Sequence, residues 1–135
     1  MAADALILGS PIYVGDITGM IRSFIERLAL IKISYSNKKS WHETAPKNGA
    51  LIYTMNGNKA QSKLFSYIYM MNTGIPKKFG GHTYQLLSID TYLFDDYSKF
   101  DATKFDEKKK EKIKETIFPK DCAKAYRIGK KLVVK

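Results

Sequence analysis

Four apolar residues in a row, Ala5-Leu6-Ile7-Leu8, are followed at once by Gly9-Ser10-Pro11. A strand with one wet face alternates polar and apolar side chains. A strand covered on both faces reads instead as a short unbroken apolar run bounded by turn residues. Doubly covered strands occur in parallel sheets sandwiched between helices, so this stretch restricts the chain to layered α/β architectures. The pattern returns once, and a further strand follows it. Ala50-Leu51-Ile52-Tyr53-Thr54 is entered from Gly49 and left through Met55-Asn56-Gly57-Asn58, and a third strand runs from Tyr84 to Ile89 and stops at Asp90.

The segments between these runs have helical period. Ile17, Met20, Ile21, Phe24, Ile25 and Leu28 fall at intervals of three and four, with Arg22, Glu26 and Arg27 outside, and Asp16 or Thr18 is placed to cap the free amides. This helix fades near Ile33 into a polar loop from Tyr35 to Asn48 that contains Trp41, His42 and Pro46. Leu64, Phe65, Ile68 and Met71 form the next helical face, closed by Gly74 and Pro76. Residues 91–102 read as a long aromatic loop, and Thr103 to Ile117 as a charged helix with Phe105, Ile113 and Ile117 as its contacts. Pro119 opens a last helix carrying Cys122, Ala125, Tyr126, Ile128, Gly129 and Leu132. The order β-α-β-α-β-α-α predicts a parallel sheet with right-handed crossovers in a single domain spanning 1–135.

Several function classes drop out. The longest apolar runs are four or five residues, too short to span a membrane, and no secretory signal opens the chain. A single cysteine, Cys122, excludes an internal disulfide and a cysteine-ligated cluster, which points to the cytoplasm; Cys122 reads as a small packing residue ahead of a thiolate in the first turn of the last helix. His42 and His82 lack companions at ligand spacing, so no metal is expected. Met55, Met70 and Met71 read as core filling. The net charge is +10, and the run Lys108, Lys109, Lys110, Lys112 and Lys114 carries much of it. Such runs are solvated helix faces more often than nucleic-acid sites. No nucleic-acid motif accompanies this one, so a basic binder that stacks bases on Tyr35, Tyr67 and Tyr69 ranks last among the readings.

Ligands of open α/β sheets sit beyond the carboxyl ends of the strands. Two of those ends are glycine-bearing: Ser10-Pro11-Ile12-Tyr13-Val14-Gly15 after the first strand and Thr54-Met55-Asn56-Gly57 after the second. Free backbone amides and the Tyr13 ring suit a flat, polar-edged ligand, and two such loops side by side make a slot for a planar heterocycle. Turn formation alone would explain each loop equally well. The segment from Ala3 to Met20, running on to Phe24-Ile25-Glu26-Arg27, resembles the third strand, flavin loop and following helix of flavodoxin-like NAD(P)H-dependent FMN reductases. Phe94 to Lys99, Phe118 to Tyr126 and Gly129 to Lys131 resemble the tail of the same family.

The resemblance implies a flavodoxin-like three-layer sandwich with a parallel sheet. It implies FMN held by Ser10 to Gly15 and by Thr54 to Gly57, NAD(P)H as electron donor, and a small-molecule acceptor such as a quinone, a second flavin or a metal complex. It assigns no catalytic side chain, because the cofactor carries the redox chemistry. Asp95, Asp96 and Tyr97 would belong to a loop packing over the flavin or a neighbouring subunit. The family's first two strands and its phosphate-binding loop have no counterpart before Asp4, and no G-x-G-x-x-G or G-x-x-x-x-G-K-[ST] occurs elsewhere. The expectation is therefore a truncated, partial flavodoxin-like domain of three strands plus helices, with FMN binding weakened or lost. A flavin-free binding or scaffold module is the alternative. The bare edge of the first strand further predicts a homodimer.

Overall fold

The computed structural model describes residues 3–36, 39–41 and 45–133. His42 lies outside them. Strand β1 (Ala5–Tyr13) returns through a two-residue β2 (Asp16–Ile17) into helix α1 (Gly19–Lys32). Strands β3 (Ile33–Ser36) and β4 (Lys39–Trp41) pair with each other, β5 (Lys47–Met55) leads to α2 (Lys59–Leu64) and α3 (Ser66–Lys77), and β6 (Gly80–Ile89) follows. A 3-10 turn at Tyr97–Lys99 precedes α4 (Glu107–Thr116) and α5 (Phe118–Val133).

The main sheet has the order β2-β1-β5-β6. Its three long strands are parallel: β1 and β5 pair from Ala5↔Asn48 to Pro11↔Thr54, and β5 and β6 from Lys47↔Gly80 to Met55↔Ile89. β2 runs antiparallel to the tip of β1. Helices lie on both faces, so the layered α/β expectation holds and the fold is flavodoxin-like. Leu8, Ile12, Leu51, Tyr53 and Met55 project to one face and pack with Ile17, Ile25 of α1 and Tyr69 of α3. Ala50 and Leu86 project to the other and meet Ile128 and Leu132 of α5. The sheet is nevertheless mixed rather than purely parallel, and it has four strands rather than three.

Other boundaries differ for identifiable reasons. β1 does not stop at Leu8; Gly9 to Tyr13 continue the strand, and the turn falls at Val14 and Gly15. Both turn residues have positive φ, 52° and 84°, the requirement of a tight two-residue hairpin. Pro11 is compatible with a strand there because β1 is the outermost long strand, where a missing N–H is tolerated. Nor is β1 covered on both faces. Leu8, Ser10 and Ile12 are buried, but Ile7 is 57% exposed. The doubly covered pattern holds at β5, where Ala50 and Leu51 are both buried. The polar stretch after α1 contains the β3–β4 hairpin instead of a plain loop.

The helical faces also shift. Thr18 stands at the N-cap of α1 without a side-chain bond to its amides, and the other candidate cap, Asp16, is taken by Arg22. Met20 and Phe24 of α1 are exposed, while Ile25, Leu28 and Lys32 turn inward. The second helical segment breaks at Phe65, and α3 continues through Gly74 and Pro76 to Lys77. Its inner face is Tyr69, Asn72, Thr73 and Pro76, with Leu64, Met70 and Met71 outside. Of the three methionines, only Met55 fills the core. Pro76 lies so close to Gly49 that a Cβ there would sit 3.0 Å from the proline Cβ. Cys122 is exposed rather than packed. Among the described residues no helix is long and apolar enough to cross a membrane.

Candidate functional site

The carboxyl ends of β1, β5 and β6 come out on one rim. Pro11 is the register partner of Thr54, and Met55 of Ile89, so the two glycine-bearing tips are immediate neighbours. Of the ten residues expected to line them, the structure brings two groups to the rim. At the first tip, Tyr13 is 64% exposed, Val14 is wholly exposed, and Gly15 completes the turn. A β-branched residue at φ 52° is a strained conformation. At the second tip Thr54 is exposed, and Asn56 and Gly57 are half-buried. Ser10, Ile12 and Met55 point inward instead. Ser10 serves the fold: its hydroxyl accepts the Thr18 N–H at 3.0 Å and donates to the Pro11 carbonyl at 2.8 Å.

The second tip is tied down from three directions. Gly57 and Met55 carbonyls accept the Asp90 and Thr91 amides at 2.8 and 3.1 Å. Asn58 caps α2, accepting the Ala60 and Gln61 amides while Gln61 Oε1 accepts the Asn58 amide, a reciprocal capping box. The third tie is Lys110. Its ammonium donates to the Asn56 carbonyl at 2.8 Å and pairs with Asp90 Oδ1, and the residue is only 4% exposed. Asp90 itself has φ 57°. Sequence reasoning counted Lys110 among solvated lysines; nothing in the sequence separates it from Lys108 or Lys112 except its position one turn before Ile113 and Lys114 on the inner side of α4. The Asn58-x-x-Gln61 spacing, by contrast, was a readable capping signal.

The first tip rests on a different support. Arg22 of α1 grips Asp16 through two hydrogen bonds of 2.8 and 2.9 Å and reaches Asn72 Oδ1 of α3 at 3.1 Å. Beneath, the Tyr53 phenol is buried with no hydrogen-bond partner; Asn72 approaches it off hydrogen-bond geometry. Desolvation by burial pushes the Tyr53 pKa up to about 12, Asn72 partly opposing it. The Asp95–Tyr97 segment is held by local bonds. Asp96 accepts the Ser98 amide and hydroxyl, which hold its carboxyl below the usual range. Tyr97 is buried against Tyr92 and Phe94, its hydroxyl accepting the Leu93 amide.

These residues suit the ring system of a flavin. Isoalloxazine presents a flat face and an edge of imide donors and carbonyl acceptors; the rim offers an exposed tyrosine ring, the exposed turn at Val14, and Asn56 Oδ1, a buried acceptor with no donor among the described residues. They do not suit the phosphoryl tail. The β1 tip opens no helix, and the β5 tip brings one glycine to the six-residue α2, whose Ala60 and Gln61 amides Asn58 already takes, unlike the glycine-rich arrangement that cradles phosphate. Among the described residues no group of three His, Cys, Asp or Glu side chains is placed to hold a metal ion.

In comparison with known proteins, the family model of NADPH-dependent FMN reductases fits residues 1–85, which span β1 through the first half of β6 and both glycine-bearing tips. Neither a curated protein nor a solved structure matches the chain.

Proposed function

The chain belongs to the NADPH-dependent FMN reductase family, and from that premise we propose that the paired tips of β1 and β5 hold the isoalloxazine of FMN. Bound there, FMN would supply the family's chemistry, taking a hydride equivalent from NAD(P)H and releasing electrons to a small-molecule acceptor. The protein's own residues bind and orient. Tyr13 lies against the ring, the Val14 and Gly15 amides donate to its polar edge, and Asn56 Oδ1 accepts an imide N–H. Thr54 closes the second side. Lys110 and Asp90 fix the peptide that carries Asn56, and the Ser10–Thr18 and Arg22–Asp16 bonds fix the first tip. The observation carrying this reading is the Pro11↔Thr54 register, which sets the two tips side by side.

Binding is weak on this proposal, because a phosphate dianion without charge-assisted donors contributes little. FMN and riboflavin should therefore quench on titration with similar affinity, within about threefold of one another. Absence of saturable quenching by either flavin refutes the assignment. A strong preference for FMN would show that the phosphate is held after all.

We further propose that the protein self-associates along β1. Among the described residues, this strand bonds on its outer side to β2 at Ile12 and Tyr13 alone, leaving Ala5 to Pro11 as an edge with no charged residue to discourage pairing.

A further inference from the structure

Beyond the two glycine-bearing tips, the third strand end opens onto a cleft of about 260 Å³ between the loop after β6 and the start of α5. We propose that this cleft binds a neutral aromatic molecule of one or two fused rings carrying a hydroxyl group. The proposal stands on the cleft itself and does not require the flavin reading.

Size comes first. An apolar cavity of about 150 Å³ holds benzene, so the volume here admits a fused bicycle. The walls are aromatic and aliphatic, and their rings are not equally available. Phe94 is already stacked on Phe100, centroids 4.1 Å apart, and edge-on to Tyr97. Tyr92 is edge-on to Tyr97, and one of its faces is covered by the Lys114 ammonium, 4.5 Å from the centroid. Phe118 is different. It lines the cleft, is 49% exposed, and has no ring or cation partner among the described residues. A planar guest stacking there meets a ring that no other ring or cation among the described residues engages.

Polarity narrows the guest. Asp95 borders the cleft with no hydrogen-bond or ion-pair partner among the described residues, whereas Asp121 is engaged by the Ser88 hydroxyl at 2.8 Å. Lys114 stands on another wall. A cationic guest would gain from Asp95 and be repelled by Lys114, and an anionic guest the reverse. A hydroxyl satisfies both, donating to the carboxylate and accepting from the ammonium. Neutral hydroxyarenes, including hydroquinones, are therefore the class that fits.

The probe is 2-naphthol, titrated into the full chain and followed by backbone amide shifts, with 2-methoxynaphthalene as the analogue that cannot donate. Saturable binding is expected, with shifts confined to 88–95 and 113–121 and the ether at least about threefold weaker. Ile117→Trp fills the cleft and Phe118→Ala removes the free ring; each should weaken 2-naphthol about tenfold or more. Asp95→Ala should abolish the preference for the hydroxyl over the ether. FMN titrated into the same variants should quench as it does with the unaltered chain, which separates this site from the glycine tips. Lack of saturation, shifts centred elsewhere, equal binding of naphthol and ether, or affinity unchanged in both cleft variants overturns the proposal.

Discussion

Replacing Lys110 by Met tests the tie that holds the second glycine tip. The ammonium is removed and most of the aliphatic stem is kept, so the loss is electrostatic and not a cavity. Breaking a buried ion pair by deleting one partner costs about 3–5 kcal/mol, and an orphaned carbonyl about 1 kcal/mol more. Two features of the site reduce this. The Asp90 side chain is 19% exposed, and Lys109 stands 3.8 Å from its other oxygen, so part of the charge stays compensated. The expected loss is about 2–4 kcal/mol, read as a lower urea midpoint at unchanged slope. Lys108→Met, on the exposed face of the same helix, should stay within about 0.5 kcal/mol. Asn tolerates the left-handed backbone at position 90, so Asp90→Asn completes a double-mutant cycle with coupling of about 1–3 kcal/mol. A Lys110→Met loss below about 0.5 kcal/mol, or a coupling near zero, refutes the account of Lys110 as the fastening of this rim.

Four further outcomes follow from the same geometry. The folded protein keeps Tyr53 neutral up to about pH 12, against an ordinary value of 10.0, while the unfolded chain ionises from pH 10. The contribution is therefore complete below pH 10 and lost between pH 10 and 12 at no more than about 1.4 kcal/mol per pH unit. Tyr53→Phe, which deletes an unpartnered hydroxyl, should flatten that alkaline loss in denaturation curves and cost under about 0.5 kcal/mol at pH 7. Gly15→Ala forces a side chain onto φ +84° with its Cβ 2.8 Å from the Phe65 ring, and should cost about 1–2 kcal/mol in urea melts. Ile7→Lys places a charge on the bare strand and should turn a dimer into a monomer by light scattering; a monomer before substitution refutes the pairing. Hydrogen exchange with saturating FMN should slow most at 13–15 and little at 56–58, where carbonyl, cap and ammonium already restrain the chain.

What could be read from the sequence divides by range. Apolar runs announce buried strands because the covering layers demand them locally, and β5 matches its run closely. The first run marks the start of β1 at Ala5 but neither its end nor its one-sided exposure. Gly9 and Pro11 carry strong turn propensity, but an edge position relieves both of the demands that make them breakers. The helical faces failed for a related reason. Leu64 and Met71 satisfy the helical period, yet the break at Phe65 rotates the second half, and Asn72 and Thr73 occupy the inner face in their place. Lys110 is the clearest case. Burial of one lysine among five is decided by Asp90 and the Asn56 carbonyl, 20 and 54 residues away along the chain, and no local pattern encodes that distance.

The two glycine tips are unlike in a way that bears on how a ligand would be held. The β5 tip is bonded to the β6 loop, to its own helix cap and to Lys110, so little conformational freedom remains there to be lost on binding. The β1 tip is a strained hairpin turn whose outer residue, Val14, touches nothing that would fix it, although Ser10 and Arg22 anchor its base. A guest resting on both therefore meets one rigid wall and one adjustable wall. Affinity would be limited by the entropy of ordering the β1 turn rather than by any repositioning of β5. The strain at Val14 points the same way: relieving it by Val14→Gly widens the states open to the free turn, while Val14→Asn keeps φ > 0 accessible with less freedom. The rim would then tighten on its ligand with Asn and loosen with Gly, although neither side chain need reach the guest.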